Sequence, residues 1–146
     1  MLGVVNVPVQ NVTYFATKNG GSHKKNSNGT IQKINTAPIL PNQKVYIIAS
    51  RSHQSPETQQ FIAEKMQQYG EQNIELVSAG SSLKFCMVAE GIAHFYPRLA
   101  PTMEWDTAAG QIVATEAGAK VVVIDTQQPL TYNRQNLLNP YFLVTV

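Results

Sequence analysis

The chain has a single cysteine, Cys86, among its 146 residues. One thiol excludes a disulfide framework and any thiolate metal cluster. Charge is scarce as well: Asp, Glu, Lys and Arg make up 14 %, against about a quarter in an ordinary soluble domain. Eleven basic residues against nine acidic ones leave +2, too little for a dedicated nucleic-acid binder, whose phosphate contacts need a concentrated basic surface. The one basic doublet, Lys24-Lys25, sits among Ser, Asn and Gly and reads as a solvated loop. No apolar run approaches the ~18 residues of a membrane span. The opening MLGVVNVPVQ has no basic flank before its apolar stretch and no small-residue cleavage site, so the expected compartment is the cytoplasm. The sequons at Asn11 and Asn28 then read as chance matches, since glycosylation requires secretion.

What is present is apolar: 43 % of the residues are hydrophobic, enough to bury a core in one domain or slightly less. Residues 1–41 read as an antiparallel β meander. Leu2 to Val9 and Thr13 to Thr17 are strand-like, Asn19-Gly20-Gly21 is a turn, and Asn28-Gly29 is a hairpin signal before Thr30 to Ile34. Pro38 and Pro41 mark a boundary. Residues 42–146 then alternate strand and helix patterns, which predicts an α/β fold: a mainly parallel sheet with helices on both faces. Lys44 to Ser50 is a strand buried on both faces. A helix capped by Ser55 runs to Tyr69 and stops at Gly70. Strands follow at Ile74–Ser78, Ala93–Tyr96, Val121–Asp125 and Tyr141–Val146, and helices at Ser81–Glu90 and Asp106–Ala117.

In such folds ligands gather where strands end and helices begin, and three junctions carry unusual polar residues. After the first α/β strand comes Ser50-Arg51-Ser52-His53. His53 is either a ligand contact or part of a polar loop leading to the Ser55 cap. Gly80-Ser81-Ser82 precedes a helix and exposes backbone N–H groups and hydroxyls, a ready anion site. Lys84 follows in the first helical turn, where the dipole disfavours a cation. An anion nearby explains it; so does a snorkelling stem. Cys86 reads as a small buried apolar residue. At Trp105-Asp106, the carboxylate of Asp106 is either a helix cap or a Mg²⁺ ligand. Ala108, Ala109 and Gly110 let that helix approach another backbone closely. Arg98, after Phe95-Tyr96-Pro97, is either a bidentate phosphate grip or a surface arginine.

Taken together, these segments resemble the lithium-sensitive, Mg²⁺-dependent phosphatases of the inositol monophosphatase superfamily, and within it the 3′(2′),5′-bisphosphate nucleotidase branch. WDTAAGQIVATEAGA is similar to the family's second signature, and GSSLKFCMVAEGIAHFYPR to the segment before it. SRSH and NLLNPYFLV look like the nucleotidase branch. His94 stands where relatives often have Asp, and Ala119 replaces the second Gly of Glu-Ala-Gly-Gly. The resemblance implies that Asp106 binds Mg²⁺, that Ser81, Ser82, Lys84 and Arg98 hold the non-scissile phosphate region of a nucleotide bisphosphate, and that His53 lies near the base. Arg98 suits a substrate with a second phosphate, where inositol monophosphatases are expected to carry an acid. The implied parent reaction is Mg²⁺-assisted hydrolysis of adenosine 3′,5′-bisphosphate to AMP and phosphate.

The family's first signature, Asp-Pro-Ile/Leu-Asp-Gly-Thr, and its upstream Glu-Glu pair do not occur here. Residues 1–41 are therefore expected to be the remnant of an N-terminal domain, and residues 42–146 the substrate-binding domain. The expectation is a C-terminal part that is inactive alone, because one carboxylate cannot assemble the catalytic metals. The expected partner is a second copy of the chain, in a homo-oligomer, or a separately supplied N-terminal half. The rival expectations are a non-catalytic nucleotide- or phosphate-binding module and an inositol monophosphatase-type fragment.

Overall fold

The β-branched opening run forms strand β1 (Leu2–Val7) in the structure, a computed structural model that describes residues 1–50 and 54–146. β1 stops short of the predicted Val9 because Pro8 has no N–H to give a ladder. A 3-10 turn over Pro8–Gln10 follows, closed by Asn11 in the left-handed region at φ 52°. β2 (Val12–Thr17), β3 (Gly21–Lys25) and β4 (Ile31–Ile34) complete a four-stranded antiparallel sheet in chain order. Gly29, at φ 84°, turns β3 into β4, as Asn28-Gly29 predicts. Lys24-Lys25 is not a loop. It lies within β3 opposite Thr13 and Tyr14, and Lys24 Nζ sits 2.9 Å from Glu90 Oε2.

The second sheet holds β5 (Val45–Ile48), β6 (Ile74–Val77), β7 (Phe95–Arg98), β8 (Lys120–Val123) and β9 (Phe142–Thr145), in the order β6-β5-β7-β9-β8. β5 is parallel to β6 and β7, while β9 runs antiparallel to β7 and β8. Four of the five strands thus point one way and β9 opposes them, giving a mixed sheet flanked by helices. Val45, Ile47 and Ile48 of β5 are all buried, as a strand covered on both faces requires.

Helix α1 (Pro56–Tyr69) starts at Ser55, whose Oγ accepts the Thr58 N–H at 3.3 Å, and ends at Gly70. Helix α2 (Leu83–Ala89) begins two residues later than predicted because Ser81 takes a left-handed conformation, φ 50°. Helix α3 (Glu104–Glu116) begins two residues earlier, with extended Met103 as its cap. β7 starts two residues late: the N–H groups of Ile92 and Ala93 donate to Met87 O and close α2 instead of entering the sheet.

The layers follow from the cores. α1 lies on the outer face of the second sheet, with Ile62 packed among Val45, Ile47 and Phe95. α2 and α3 lie on its inner face over Tyr96, Val121, Phe142 and Val144. The opposite side of the same two helices covers Tyr14, Ala16 and Ile34 of the first sheet. The fit is close. A Cβ on Gly3 would meet Ala109 O at 2.7 Å, and one on Gly110 would meet the Phe85 ring at 2.8 Å, which is the close approach the small residues of α3 predict. Polar pins tie the layers together: Glu90 accepts the Tyr14 hydroxyl and pairs with Lys24. Glu116 accepts the N–H groups of Asn19 and Gly21 at 3.0 and 3.2 Å. Cys86 is wholly buried and its thiol is pushed up to about 12, first by burial and then by the Glu90 charge.

Candidate functional site

The carboxyl ends of β5, β6 and β7 open onto two adjoining cavities of about 430 and 250 Å³. Lys84, Tyr96 and Arg98 line both. The larger extends past Ala49, Ser78 and Thr58; the smaller is bounded by the starts of α2 and α3, with Ser81, Ser82 and Asp106. Five of the predicted site residues, Ser81, Ser82, Lys84, Arg98 and Asp106, therefore come together. His53 lies outside the described residues.

Each owes its place to local structure. Lys84 is in the first turn of α2, half-buried, with its ammonium 5.5 Å from the centre of the Tyr96 ring. Burial, and then the Arg98 charge beside it, hold that ammonium below its ordinary value. Among the described residues Lys84 has no carboxylate partner. Arg98 ends β7, where its Nη2 donates to Pro101 O at 2.8 Å, while its Nε–H is buried with no acceptor among the described residues. A buried guanidinium N–H without a partner costs about 1–3 kcal/mol.

Asp106 occupies the third position of α3. Its Oδ2 accepts the Met103 N–H at 3.0 Å, so Asp106 is not the N-cap residue, which is Met103, but caps from the third helical position; its other oxygen has no hydrogen-bond partner among the described residues. Ser82 Oγ donates to the Asp106 carbonyl at 3.1 Å, locking the start of α2 to the start of α3. Among the described residues no three His, Cys, Asp or Glu side chains cluster in a way that would hold a metal. Asp106 alone would give Mg²⁺ a single protein carboxylate, with phosphate and water left to fill the rest of its shell. These residues fit a contribution to a metal site and not the whole site.

Sequence reasoning missed the scaffold beneath Asp106. Glu104 is buried and accepts from Asn133 N, Arg134 N and Arg134 Nε at 2.8, 3.2 and 2.9 Å. Burial raises its carboxyl, but the Arg134 and backbone hydrogen bonds outweigh that and leave it below the ordinary value. Arg134 Nη2 donates to Asn139 Oδ1, and Asn139 Nδ2 donates to Met103 O and Thr107 Oγ1. Glu104 and Met103 lie about thirty residues from Arg134 and Asn139, so spacing gave no sign of them. Tyr96 was missed too, because an aromatic inside a strand reads as core.

The cleft sets two cations at the strand ends of an α/β fold, floored by two helix starts, and residues 1–141 match the inositol monophosphatase family. The chain belongs to that family. It is 44 % identical to the 3′(2′),5′-bisphosphate nucleotidase CysQ of Escherichia coli K12, over all of this chain and 55 % of that protein. It is 38 % identical to the Buchnera aphidicola CysQ over 83 % of this chain. The crystal structure of CysQ from Bacteroides thetaiotaomicron superposes with a TM-score of 0.88 and 40 % identity, covering all of this chain and 58 % of that one. Inositol monophosphatase-II of Staphylococcus aureus shares the fold, at TM-score 0.75 and 20 % identity. The chain thus spans little more than half the length of the relatives it matches.

Proposed function

We propose that this chain is the substrate-holding, C-terminal part of a bisphosphate nucleotidase, the parent reaction being Mg²⁺-dependent removal of the 3′-phosphate from adenosine 3′,5′-bisphosphate. The observation that carries the reading is that Lys84 and Arg98 line one cleft, where each feels the other's charge, and that Lys84 has no ion-pair carboxylate among the described residues. Two cations held this close in a cleft are stabilised by a dianion between them. Lys84 and Arg98 hold the non-scissile phosphate, with Ser81 and Ser82 alongside. The open oxygen of Asp106 supplies one ligand to Mg²⁺, and His53 faces the base. Residues 1–41 are the remnant of an N-terminal domain whose carboxylates complete the metal site, residues 42–146 are the substrate-binding domain, and the enzyme is cytoplasmic and lithium-sensitive. A second reading, a nucleotide- or phosphate-binding module without catalysis, is favoured by the lack of a three-ligand metal cluster among the described residues.

Calorimetric titration with adenosine 3′,5′-bisphosphate and with inositol monophosphate tests the ligand class. The bisphosphate should bind tighter, and Arg98→Met should weaken it by about tenfold or more, the size of a charge-assisted hydrogen bond. Equal affinity for the two ligands would overturn the nucleotidase reading. Phosphate release with and without Mg²⁺, beside Asp106→Asn, should be nil for the chain alone and appear when the N-terminal half of the E. coli relative is added. Binding without turnover after that addition favours the module. Mg²⁺-dependent release by the chain alone, lost in Asp106→Asn, would overturn its incompleteness.

A further inference from the structure

Two cations side by side in a half-buried cleft repel each other, and something on the protein must hold them there before a ligand arrives. Tyr96 is placed to do so. It is 5 % exposed and lines both cavities between Lys84 and Arg98. Its ring is fixed from two sides: Phe85 and Phe142 meet it edge to face, with centroids 5.5 and 5.9 Å away and interplanar angles of 86° and 87°. The Lys84 ammonium lies over the ring at 5.5 Å. The negative face of an aromatic ring attracts a cation, and more strongly where water is excluded. Among the described residues no carboxylate lies within ion-pair distance of this ammonium, although Asp106 lines the same cavity.

We infer that Tyr96 is the positioning residue of the phosphate site: the face of its ring seats the Lys84 ammonium in the cleft it shares with Arg98. The inference rests on the reading that Lys84 and Arg98 bind phosphate, and it adds the group that arranges them. A carboxylate in the same place would also seat the lysine, but it would cancel the charge the ligand needs and repel the ligand. An aromatic face attracts one cation and leaves the net positive charge of the cleft intact. The Tyr96 hydroxyl is itself pushed up by burial, against the pull of Arg98, so it stays neutral at physiological pH and adds no anion.

The test uses phenylalanine and its mono-, di- and trifluorinated forms at position 96, which drain the ring face progressively at nearly constant shape. The readout is the ratio of the adenosine to the AMP dissociation constant, which isolates what the phosphate adds. The ratio should fall stepwise with fluorination, by about tenfold across the series, the range a partly desolvated cation–π contact supports. In a Lys84→Met background the series should be flat. A merely structural role predicts equal losses for adenosine and AMP and no dependence on fluorine count. A flat series on a wild-type Lys84 background overturns the inference while leaving the phosphate site standing. If the unmodified chain binds AMP no tighter than adenosine, the phosphate reading fails, and this inference fails with it.

Discussion

A histidine ring nitrogen that accepts a backbone N–H works only while it is unprotonated. His94 is such a case: buried in the bend before β7, it takes the Tyr46 N–H on Nδ1 at 3.0 Å, and burial holds its imidazole below the ordinary value. Because the folded-state value is depressed, this contribution is complete above the unfolded value of about 6.5. It is lost as pH falls from there through the folded value. Melting temperatures measured from pH 8 down to pH 5 should therefore drop below about pH 6.5, and His94→Asn, which keeps an acceptor and removes the titration, should lessen that drop. A drop unchanged in the variant would place the proton elsewhere. At this scale the sequence was readable where charge stands out: Lys84, Arg98 and Asp106 are conspicuous beside Gly, Ser and helix-start patterns, and they do meet. Tyr96 and Asn139 are not conspicuous, because their roles are defined by neighbours that only the fold supplies.

Elements were readable in kind and shifted at their ends, and each shift has a local cause. Pro8 ends β1, the left-handed Ser81 delays α2, and α2 keeps the amides that β7 would have used. The start of α3 moved the other way, because Asp106 reaches back to cap Met103 from inside the helix. That start is braced by Asn139, which is buried and bonded to Thr102, Met103, Thr107 and Arg134. Asn139→Ala leaves several of these groups unpaired and should cost about 2–4 kcal/mol, a few bonds at roughly 1 kcal/mol each. Urea unfolding measures it. A cost within 0.5 kcal/mol would show that the brace is dispensable to the helix start.

For the whole molecule, the strand and helix patterning predicted an α/β body behind a β meander but not how the two stack, since stacking depends on contacts far apart in sequence. The first sheet presents β1 as an unpaired edge, with Leu2 and Val4 65 % and 50 % exposed. An apolar edge strand with open backbone groups recruits another strand. Sedimentation at rising concentration should therefore show reversible association, reduced by Val4→Lys; a monomer at every concentration would count against it. The stacking also bears on how the chain can be taken apart. Helices α2 and α3 serve both sheets at once, with Cys86, Ala89 and Val113 turned to one and Phe85, Val88 and Ala114 to the other. There is no seam to cut along. Dividing the polypeptide after residue 41 would strip those helices on one side and expose Ala89, Ile112 and Ala117 to water, so any engineered split has to pass through the meander's own turns and leave the helix layer clothed on both faces.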